Sequence, residues 1–216
     1  MIDDISLRRR VLEEFQWDPS FDATHVGVSA ADGTVTLSGH VSSYAALFAA
    51  RKAARRVAGV KAVADEMHVR LAATHEREDS DIAESISHVL RHNVTLGEQD
   101  IQAEVRGGNV TLSGTVDWQV QRRHVERQVA HVAGVRTIDN QIKLRAPATP
   151  VDIAGGIERA LERRARLDAG RVSVDVEDGT VTLGGTAGTL HERELIETAA
   201  WSAPGVCEVI NRIRVA

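Results

Sequence analysis

The chain has 216 residues, of which 43% are apolar, 26% are charged and 3% are aromatic, and its formal net charge is −5 at pH 7. This composition is typical of a soluble globular protein with aliphatic cores, and the acidic balance argues against nucleic-acid binding. The sequence contains no run of about 18 apolar residues that could span a bilayer.

The beginning of the chain bears on the compartment, and the single cysteine bears only on disulfide formation. The stretch MIDDISLRRRVLEEF places acids before arginines and contains no apolar core of a secretory signal. We therefore expect a cytoplasmic protein, or a periplasmic one if a leader has been removed. Cys207 cannot form an intrachain disulfide, and its apolar neighbours favour a buried, unreactive thiol.

One short stretch occurs three times in the chain: GTVTLSG at 33–39, GNVTLSG at 108–114 and GTVTLGG at 179–185. After the last glycine of each stretch, a Gly-Val pair follows at 20 residues and an acid or amide at 26 residues. The acids and amides are Asp65, Asn140 and Asn211. Landmarks that keep the same spacing three times indicate three copies of one structural unit.

Each copy is predicted to form a helix, a two-stranded hairpin, a second helix and a third strand. Each first helix opens with an aspartate that can accept hydrogen bonds from its free N–H groups, and apolar residues follow at helical spacing. These aspartates are Asp4, Asp81 and Asp152. In the third copy the apolar residues are Ile153, Ile157 and Leu161.

The hairpins are predicted to turn at dipeptides that accept a positive φ. These dipeptides are Asp32-Gly33, Gly107-Gly108 and Asp178-Gly179. The second helices are predicted at about 42–58, 117–133 and 188–203, and the third strands at 60–70, 135–145 and 206–215. Together these elements predict an antiparallel hairpin extended by a parallel third strand, with both helices on one side.

The repeated strand alternates between two kinds of residue. Val35 and Leu37 point to one face, and the threonines and serine between them point to the other, which predicts one buried and one exposed face. Gly39 is expected to end the strand, at a place where a side chain would obstruct the turn into the second helix.

These elements predict an α+β fold of three tandem αββαβ two-layer sandwich domains, each a three-stranded sheet with two helices. The polar linker AATHEREDS and the proline-containing linker APATP separate the copies. We place the domains at residues 1–73, 77–146 and 149–216.

The order αββαβ, with the motif G-x-V-T-L-x-G, the Gly-Val pair and then Asn/Asp-x-Ile/Met, resembles the BON domain, which is named for bacterial OsmY and nodulation proteins. The resemblance covers nearly the whole chain as three consecutive units. It implies a non-enzymatic binding module that attaches to phospholipid membranes. It also implies relatives among osmotic-shock proteins of the bacterial envelope, secretin-type pores, channels and a potassium-binding protein.

The nine histidines could in principle bind a metal or take part in catalysis. His88 and His92 lie four residues apart on one predicted helix, and His124 and His131 lie seven apart on another. Neither pair has a third ligand at a suitable spacing, and neither recurs in the other copies, so we expect solvated helix faces rather than a metal site. No nucleophile or phosphate-loop motif is present, and we predict neither an enzyme nor a cofactor.

The repeated acid or amide permits two interpretations. Asp65, Asn140 and Asn211 could coordinate a cation together with backbone carbonyls. Alternatively, each side chain hydrogen-bonds its own backbone where the strand begins, which is the interpretation we favour.

The three copies differ most clearly in the second helix. Leu47 and Phe48 occupy positions that carry Arg122-Arg123 and Arg193-Glu194 in the other copies, which indicates outward-facing positions filled by large apolar groups. A membrane-surface helix needs such an apolar patch beside cations. The candidate lipid- or partner-binding residues are therefore Tyr44, Leu47, Phe48, Arg51, Lys52, Arg55 and Arg56. The alternative is that Leu47 and Phe48 pack against another copy.

Each tryptophan occurs in one copy alone. Trp17 is expected to pack beneath two extra residues of the first copy, and Trp201 is expected at an interface between copies.

Three functions therefore remain open. The first is a stress-related binding protein that attaches to phospholipid or to an envelope surface through the second helix of domain 1. The second is a soluble K⁺-binding sensor of osmotic stress, and the third is a self-associating structural module.

Overall fold

The computed structural model describes residues 3–92, 101–145, 172–177, 179–203 and 205–215. These residues form three similar units in succession, and the α+β fold class is confirmed. The predicted first helix of the third unit, with Asp152, Ile153, Ile157 and Leu161, lies outside the described residues, as does Asp178.

The helices and strands follow the predicted order. The first unit contains α1 (Asp4–Trp17), β1 (Val26–Ala31), β2 (Thr34–Val41), α2 (Tyr44–Arg56) and β3 (Ala62–Val69). The second contains α3 (Asp79–Arg91), β4 (Ile101–Arg106), β5 (Asn109–Val116), α4 (Gln119–Ala130), β6 (Thr137–Asn140) and β7 (Lys143–Leu144). The third contains β8 (Val172–Glu177), β9 (Thr180–Ala187), α5 (Leu190–Trp201), β10 (Glu208–Asn211) and β11 (Arg214–Val215).

The repeated strand lies at the centre of every sheet. The strands β2, β5 and β9 pair antiparallel with the preceding hairpin strand and parallel with the third strand. In the second and third units, two short segments pair in turn with the central strand and together form the third strand. The crossover through the second helix therefore brings the third strand of each copy back beside its central strand.

Each unit has its own aliphatic core between the sheet and the helices. In the first unit Leu7 and Val11 of α1 and Ala50 of α2 pack with Leu37 of β2, and each is at most 1% exposed. The predicted alternation of β2 is confirmed, since Val35 and Leu37 are fully buried. Within the described part of the chain, no helix is long and apolar enough to cross a membrane.

The first helices begin a little earlier than the sequence predicts. Asp3 is the N-cap of α1, and its side chain accepts a hydrogen bond from the Ser6 backbone N–H at 2.9 Å. In the second unit the helix begins at Asp79 rather than Asp81. The Asp79 carboxylate accepts hydrogen bonds from the N–H groups of Gly107 and Gly108 at 2.7 and 2.9 Å, which lower its pKa. It therefore fixes the hairpin turn against the helix.

The predicted packing of Trp17 and the predicted burial of Cys207 are wrong. Trp17 is 85% exposed, and Phe21 takes the inner place, where it makes an edge-to-face contact with Phe15 at a centroid distance of 5.1 Å. Trp17 follows the buried Phe15 by two positions, about 200° around the helix, so it lies on the face opposite the core. Cys207 is only half-buried, and its thiol lies 3.7 Å from the Gly205 carbonyl oxygen.

Gly39 has a different role from the predicted one. It lies inside β2, which continues to Val41, and it has a φ of +98°. A Cβ atom at this position would collide with the carbonyl oxygen of His25, just before the neighbouring strand β1. The glycine therefore permits close pairing of the hairpin strands, and it does not open the turn into the second helix.

Replacing Gly39 with alanine tests this close approach, with Gly107→Ala as the matched control. Both glycines have a positive φ, but a Cβ at Gly107 would meet nothing closer than 3.8 Å. We expect Gly107→Ala to lower the free energy of unfolding by about 1 kcal/mol through backbone strain alone. Gly39→Ala should cost about 1–3 kcal/mol more because of the collision, as measured by urea denaturation. Equal losses would contradict this explanation.

Candidate functional site

The three second helices meet at the centre of the molecule. Tyr44, the first residue of α2, is buried in the core of the second unit. Leu190, the first residue of α5, packs against the core of the first unit. Between the second and third units, the Arg123 guanidinium donates a hydrogen bond to Oγ1 of Thr198 at 2.7 Å and lies 3.9 Å from the Glu197 carboxylate. Each unit thus contacts the other two through its second helix.

A cavity of about 490 Å³ lies between these helices, and we call it the central groove. All three units contribute to its walls. The lining residues are Phe48, Lys52, Gln119, Val120, Arg123, Glu126, Arg127, Glu194, Thr198, Trp201 and Ser202. A neighbouring cavity of about 330 Å³ between the first two units shares Phe48, Lys52, Glu126 and Arg127 with it. The volume of the groove suits a small molecule or part of a larger one.

The central groove combines exposed apolar groups with charges. Phe48 is 40% exposed and Val120 is 65% exposed, whereas most large apolar side chains of the described residues are buried. Lys52 and Arg127 lie beside them and are exposed. The groove therefore offers an apolar floor next to cations.

Two buried polar atoms belong to residues of the central groove. Among the described residues, the Gln119 side-chain oxygen and the Trp201 indole nitrogen are buried and have no hydrogen-bond partner. Leaving such an acceptor or donor unpaired costs about 1–3 kcal/mol. If these side chains rotated toward the groove, a ligand that both donates and accepts hydrogen bonds would remove this cost.

Two of the predicted site residues are not at the surface. Tyr44 is 7% exposed and Leu47 is 6% exposed, so the expectation that Leu47 faces outward is wrong. The corresponding Arg122 also packs inward, and its guanidinium donates a hydrogen bond to the Asn140 carbonyl at 2.9 Å. A long arginine side chain can cover a strand and still place its charge at the edge, so its presence did not indicate exposure.

The predicted cations of α2 have different environments. Arg51 pairs with Asp65 at 3.1 Å, and Arg56 contacts Glu14 at 2.8 Å and Asp18 at 2.6 Å. These two arginines therefore hold α2 in place. Lys52 lines the central groove, and Arg55 lines a separate cavity formed mainly by the first and third units, with Arg123 from the second. Of the seven predicted residues, Phe48 and Lys52 are the pair that the fold brings into the groove.

The repeated acid or amide hydrogen-bonds the nearby backbone, as we favoured over coordination of a cation. The side-chain oxygens of Asp65, Asn140 and Asn211 each accept a hydrogen bond from the backbone N–H two residues later, at 3.0, 3.2 and 3.1 Å. In the second and third units the amide also donates to a glutamate of the second helix, at 3.0 Å in both cases. These glutamates are Glu126 and Glu197. The side chain thus joins the third strand to the second helix.

The first unit makes the same connection with the roles of the two partners exchanged. Arg51 occupies the position of Glu126 and Glu197, and Asp65 occupies the position of the two asparagines. An asparagine amide can donate a hydrogen bond to a glutamate carboxylate, whereas an aspartate carboxylate can form an ion pair with an arginine. The two positions therefore match chemically in every copy.

The histidine pairs lie in and directly after α3 and α4. The rings of His88 and His92 stack at a centroid distance of 4.1 Å, and both residues are exposed. His131 contacts the Arg127 carbonyl through Nδ1 at 2.7 Å. In the part of the chain that the structure describes, no three His, Cys, Asp or Glu side chains are grouped as metal ligands.

The helix-to-strand connection predicts a rescue between two substitutions. Asn140→Asp should lower the free energy of unfolding by about 1 kcal/mol, because it places a carboxylate against Glu126 and removes the amide donor. Adding Glu126→Arg recreates the Arg51–Asp65 pair and should restore most of this loss in urea denaturation at neutral pH. A double variant no more stable than Asn140→Asp would contradict the proposed match.

Tyr44 provides a direct signal for the contact between the first two units, since it is the chain's single tyrosine. Burial raises the pKa of its hydroxyl, and nearby Arg51 offsets this only in part. We therefore expect a tyrosinate absorbance midpoint above the value of about 10 for free tyrosine. Because the folded-state pKa is raised, the stability that this group contributes is complete below pH 10 and is lost as the pH rises through the folded-state pKa.

The matched control for this titration is Tyr44→Phe, which keeps most of the packing and removes the ionisable hydroxyl. It should abolish the absorbance change and reduce the loss of stability at alkaline pH. A midpoint at or below the free-tyrosine value would contradict the buried position of Tyr44.

Comparisons with known proteins agree with the repeated architecture. The family model for the BON domain matches three segments of the chain, residues 3–70, 78–146 and 151–216. The chain is also 30% identical over 148 residues to Osmotically-inducible protein Y of Escherichia coli (strain K12). This alignment covers 67% of the chain and 74% of the relative.

Solved structures were also compared with the chain. The C-terminal domain of CdsD, a structural protein of the type III secretion system of Chlamydia trachomatis, is 15% identical with a TM-score of 0.25 and full coverage of both chains. The PrgH periplasmic domain is 13% identical with a TM-score of 0.23, covering 95% of this chain and 99% of that one. Likenesses at such scores carry no inference. The three family matches, in contrast, span nearly the whole chain, which belongs to the BON domain family.

Proposed function

We propose that the chain is a non-enzymatic, stress-related binding protein and that its central groove binds an anionic phospholipid. The observation that carries this proposal is the exposed Phe48 beside Lys52, in a cavity to which all three units contribute. The similarity to Osmotically-inducible protein Y supports a role in osmotic stress.

The chemistry of the groove fits an amphipathic anion. Phe48 and Val120 offer apolar surface to the glycerol and the upper acyl chain, while Lys52 and Arg127 offer positive charge to the phosphate. Each basic residue near an anionic membrane surface contributes about 1 kcal/mol to binding. Glu126 and Glu194 in the same walls would disfavour an anion that lacks an apolar part to compensate.

The unpaired polar atoms also fit a phospholipid headgroup. After side-chain rotation toward the groove, the Trp201 indole N–H could donate to a phosphate oxygen. The Gln119 side-chain oxygen could accept from a headgroup hydroxyl or ammonium group. A purely apolar ligand would leave both atoms unpaired.

This proposal changes the predicted role of α2. Phe48 and Lys52 would contact the lipid directly, and Arg55 would lie at a neighbouring cavity. Tyr44, Leu47, Arg51 and Arg56 would hold the helix between the units. The membrane would therefore meet an assembled groove, and the helix would not insert by itself.

Co-sedimentation with phosphatidylglycerol-containing vesicles tests the proposal. The wild-type chain should pellet with these vesicles and release at high salt. Lys52→Glu should weaken binding by roughly thirtyfold, because reversing one charge costs about 2 kcal/mol at an anionic surface. Phe48→Ser should weaken binding by tenfold or more, because it removes about 1.5–3 kcal/mol of apolar contact.

The matched controls make the same kinds of substitution at residues that lie outside the groove. Lys143→Glu alters the net charge as Lys52→Glu does, and Trp17→Ser removes an aromatic group that is 85% exposed. Both controls should pellet like the wild type. Equal pelleting of folded Phe48→Ser, Lys52→Glu and wild type would exclude the central groove as the lipid site.

Three further measurements distinguish the two alternative functions and identify the compartment. A K⁺-binding sensor would show a rise in melting temperature that is specific for K⁺ and unaffected by Phe48→Ser. A self-associating module would show concentration-dependent sedimentation without vesicles. Fractionation of cells would show whether the chain resides in the cytoplasm or in the envelope.

A further inference from the structure

Three histidines form a row across one end of the first sheet. His25 precedes β1, His40 lies on β2 and His68 lies on β3. His40 pairs directly with His68 in the parallel register, and its N–H donates to the His25 carbonyl at 3.2 Å. The rings of His25 and His40 stack at a centroid distance of 4.6 Å. We call these three residues the histidine row.

The histidine row borders a cavity of about 670 Å³ at the junction of the first two units. His40 and His68 line this cavity together with Arg70, which continues from β3, and Arg136, which comes from the second unit. Glu76 also lines it and lies 4.0 Å from Arg136. In an acidic chain, this cavity gathers two arginines and two imidazoles against one carboxylate.

The charge of this region changes with protonation of the imidazoles. Besides Glu76, two acids face the row: Asp22 interacts with His25, and Glu66 lies two residues before His68 on the same face of β3. With neutral imidazoles, this region therefore contains two arginines and three carboxylates. Protonation of all three histidines reverses the sign of the local charge from negative to positive.

We propose that the histidine row, with Arg70 and Arg136, is an acid-dependent binding site for a tetrahedral oxyanion, such as phosphate or a phosphate group. Stacked imidazolium rings repel each other, and a bound anion offsets that repulsion. Arginine contributes planar donors that match oxyanion geometry. Imidazole gains a proton and a positive charge in mildly acidic solution, so the site gains affinity for an anion as the pH falls.

A metal ion is a poorer occupant for this row. Metal binding requires neutral imidazoles whose nitrogens converge on one point. The described residues contain no such grouping of ligands, and His25 and His40 present ring faces to each other. The adjacent arginines would also repel a cation.

Sulfate is a suitable probe because it keeps its charge across the relevant pH range. We expect sulfate to shift the imidazole NMR signals of the row in the full chain, at constant ionic strength. Its affinity at about pH 5.5 should exceed that at about pH 7.5 by roughly tenfold or more, because protonated imidazoles attract the anion. By reciprocity, sulfate should move the titration midpoints of these signals to higher pH.

The variants distinguish the row from histidines in general. His40→Gln/His68→Gln should remove most of the pH dependence and leave only the part due to His25. Arg136→Gln, at an exposed position, should weaken binding at both pH values. The matched control is His88→Gln/His92→Gln, which removes the other stacked pair and should change nothing. Equal sulfate affinity at the two pH values, or an equal loss in the control, would overturn the proposal.

The source of the phosphate group is a separate measurement. Inorganic phosphate should compete with sulfate in either case, whereas phosphatidylglycerol vesicles should compete at acidic pH if the headgroup reaches the row. Phe48→Ser leaves the row intact, so it should not alter sulfate binding. Failure of the central groove as a lipid site is therefore distinguishable from failure of the histidine row.

Discussion

The contact among the three second helices is the interaction that organises this protein. Each unit has about the smallest size at which a chain buries enough apolar surface to fold alone, and its core is aliphatic. Tyr44 of the first unit is buried in the core of the second unit, and Leu190 of the third unit packs against the core of the first unit. Sharing apolar surface in this way stabilises the units and also fixes the walls of the central groove.

The repeated positions maintain the fold, and the positions that differ create the surfaces. The buried face of the central strand and the helix-to-strand connection recur in every copy. The helix residue is the cation Arg51, paired with Asp65, in the first copy, and the anion Glu126, paired with Asn140, in the second. Phe48, Trp201 and the histidine row each occur in one copy alone. Triplication thus supplies a common framework in which single copies differ at cavity-lining and surface positions.

Comparison of the three copies predicted the fold better than it predicted exposure. The alternation of Val35 and Leu37 and the spacing to Asp65 indicated the strands correctly, because backbone periodicity depends on neighbouring residues in the chain. The same comparison placed Leu47 outside, since arginine occupies its position elsewhere. Arginine can lie along a strand and reach a carbonyl, as Arg122 does, so residue type alone did not distinguish an inward-facing position from an exposed one.

The sequence by itself determined the three units, the order of their elements and the buried face of each central strand. These features follow from local spacing, which repeats wherever the same residues recur. Tertiary structure decided which units share a cavity and which histidines lie side by side. His25 and His40 are fifteen residues apart in the chain and stack because of strand register, while Phe48 and Trp201 share a cavity because separate helices pack together. Such proximity depends on the relative placement of whole elements, and no local spacing encodes it.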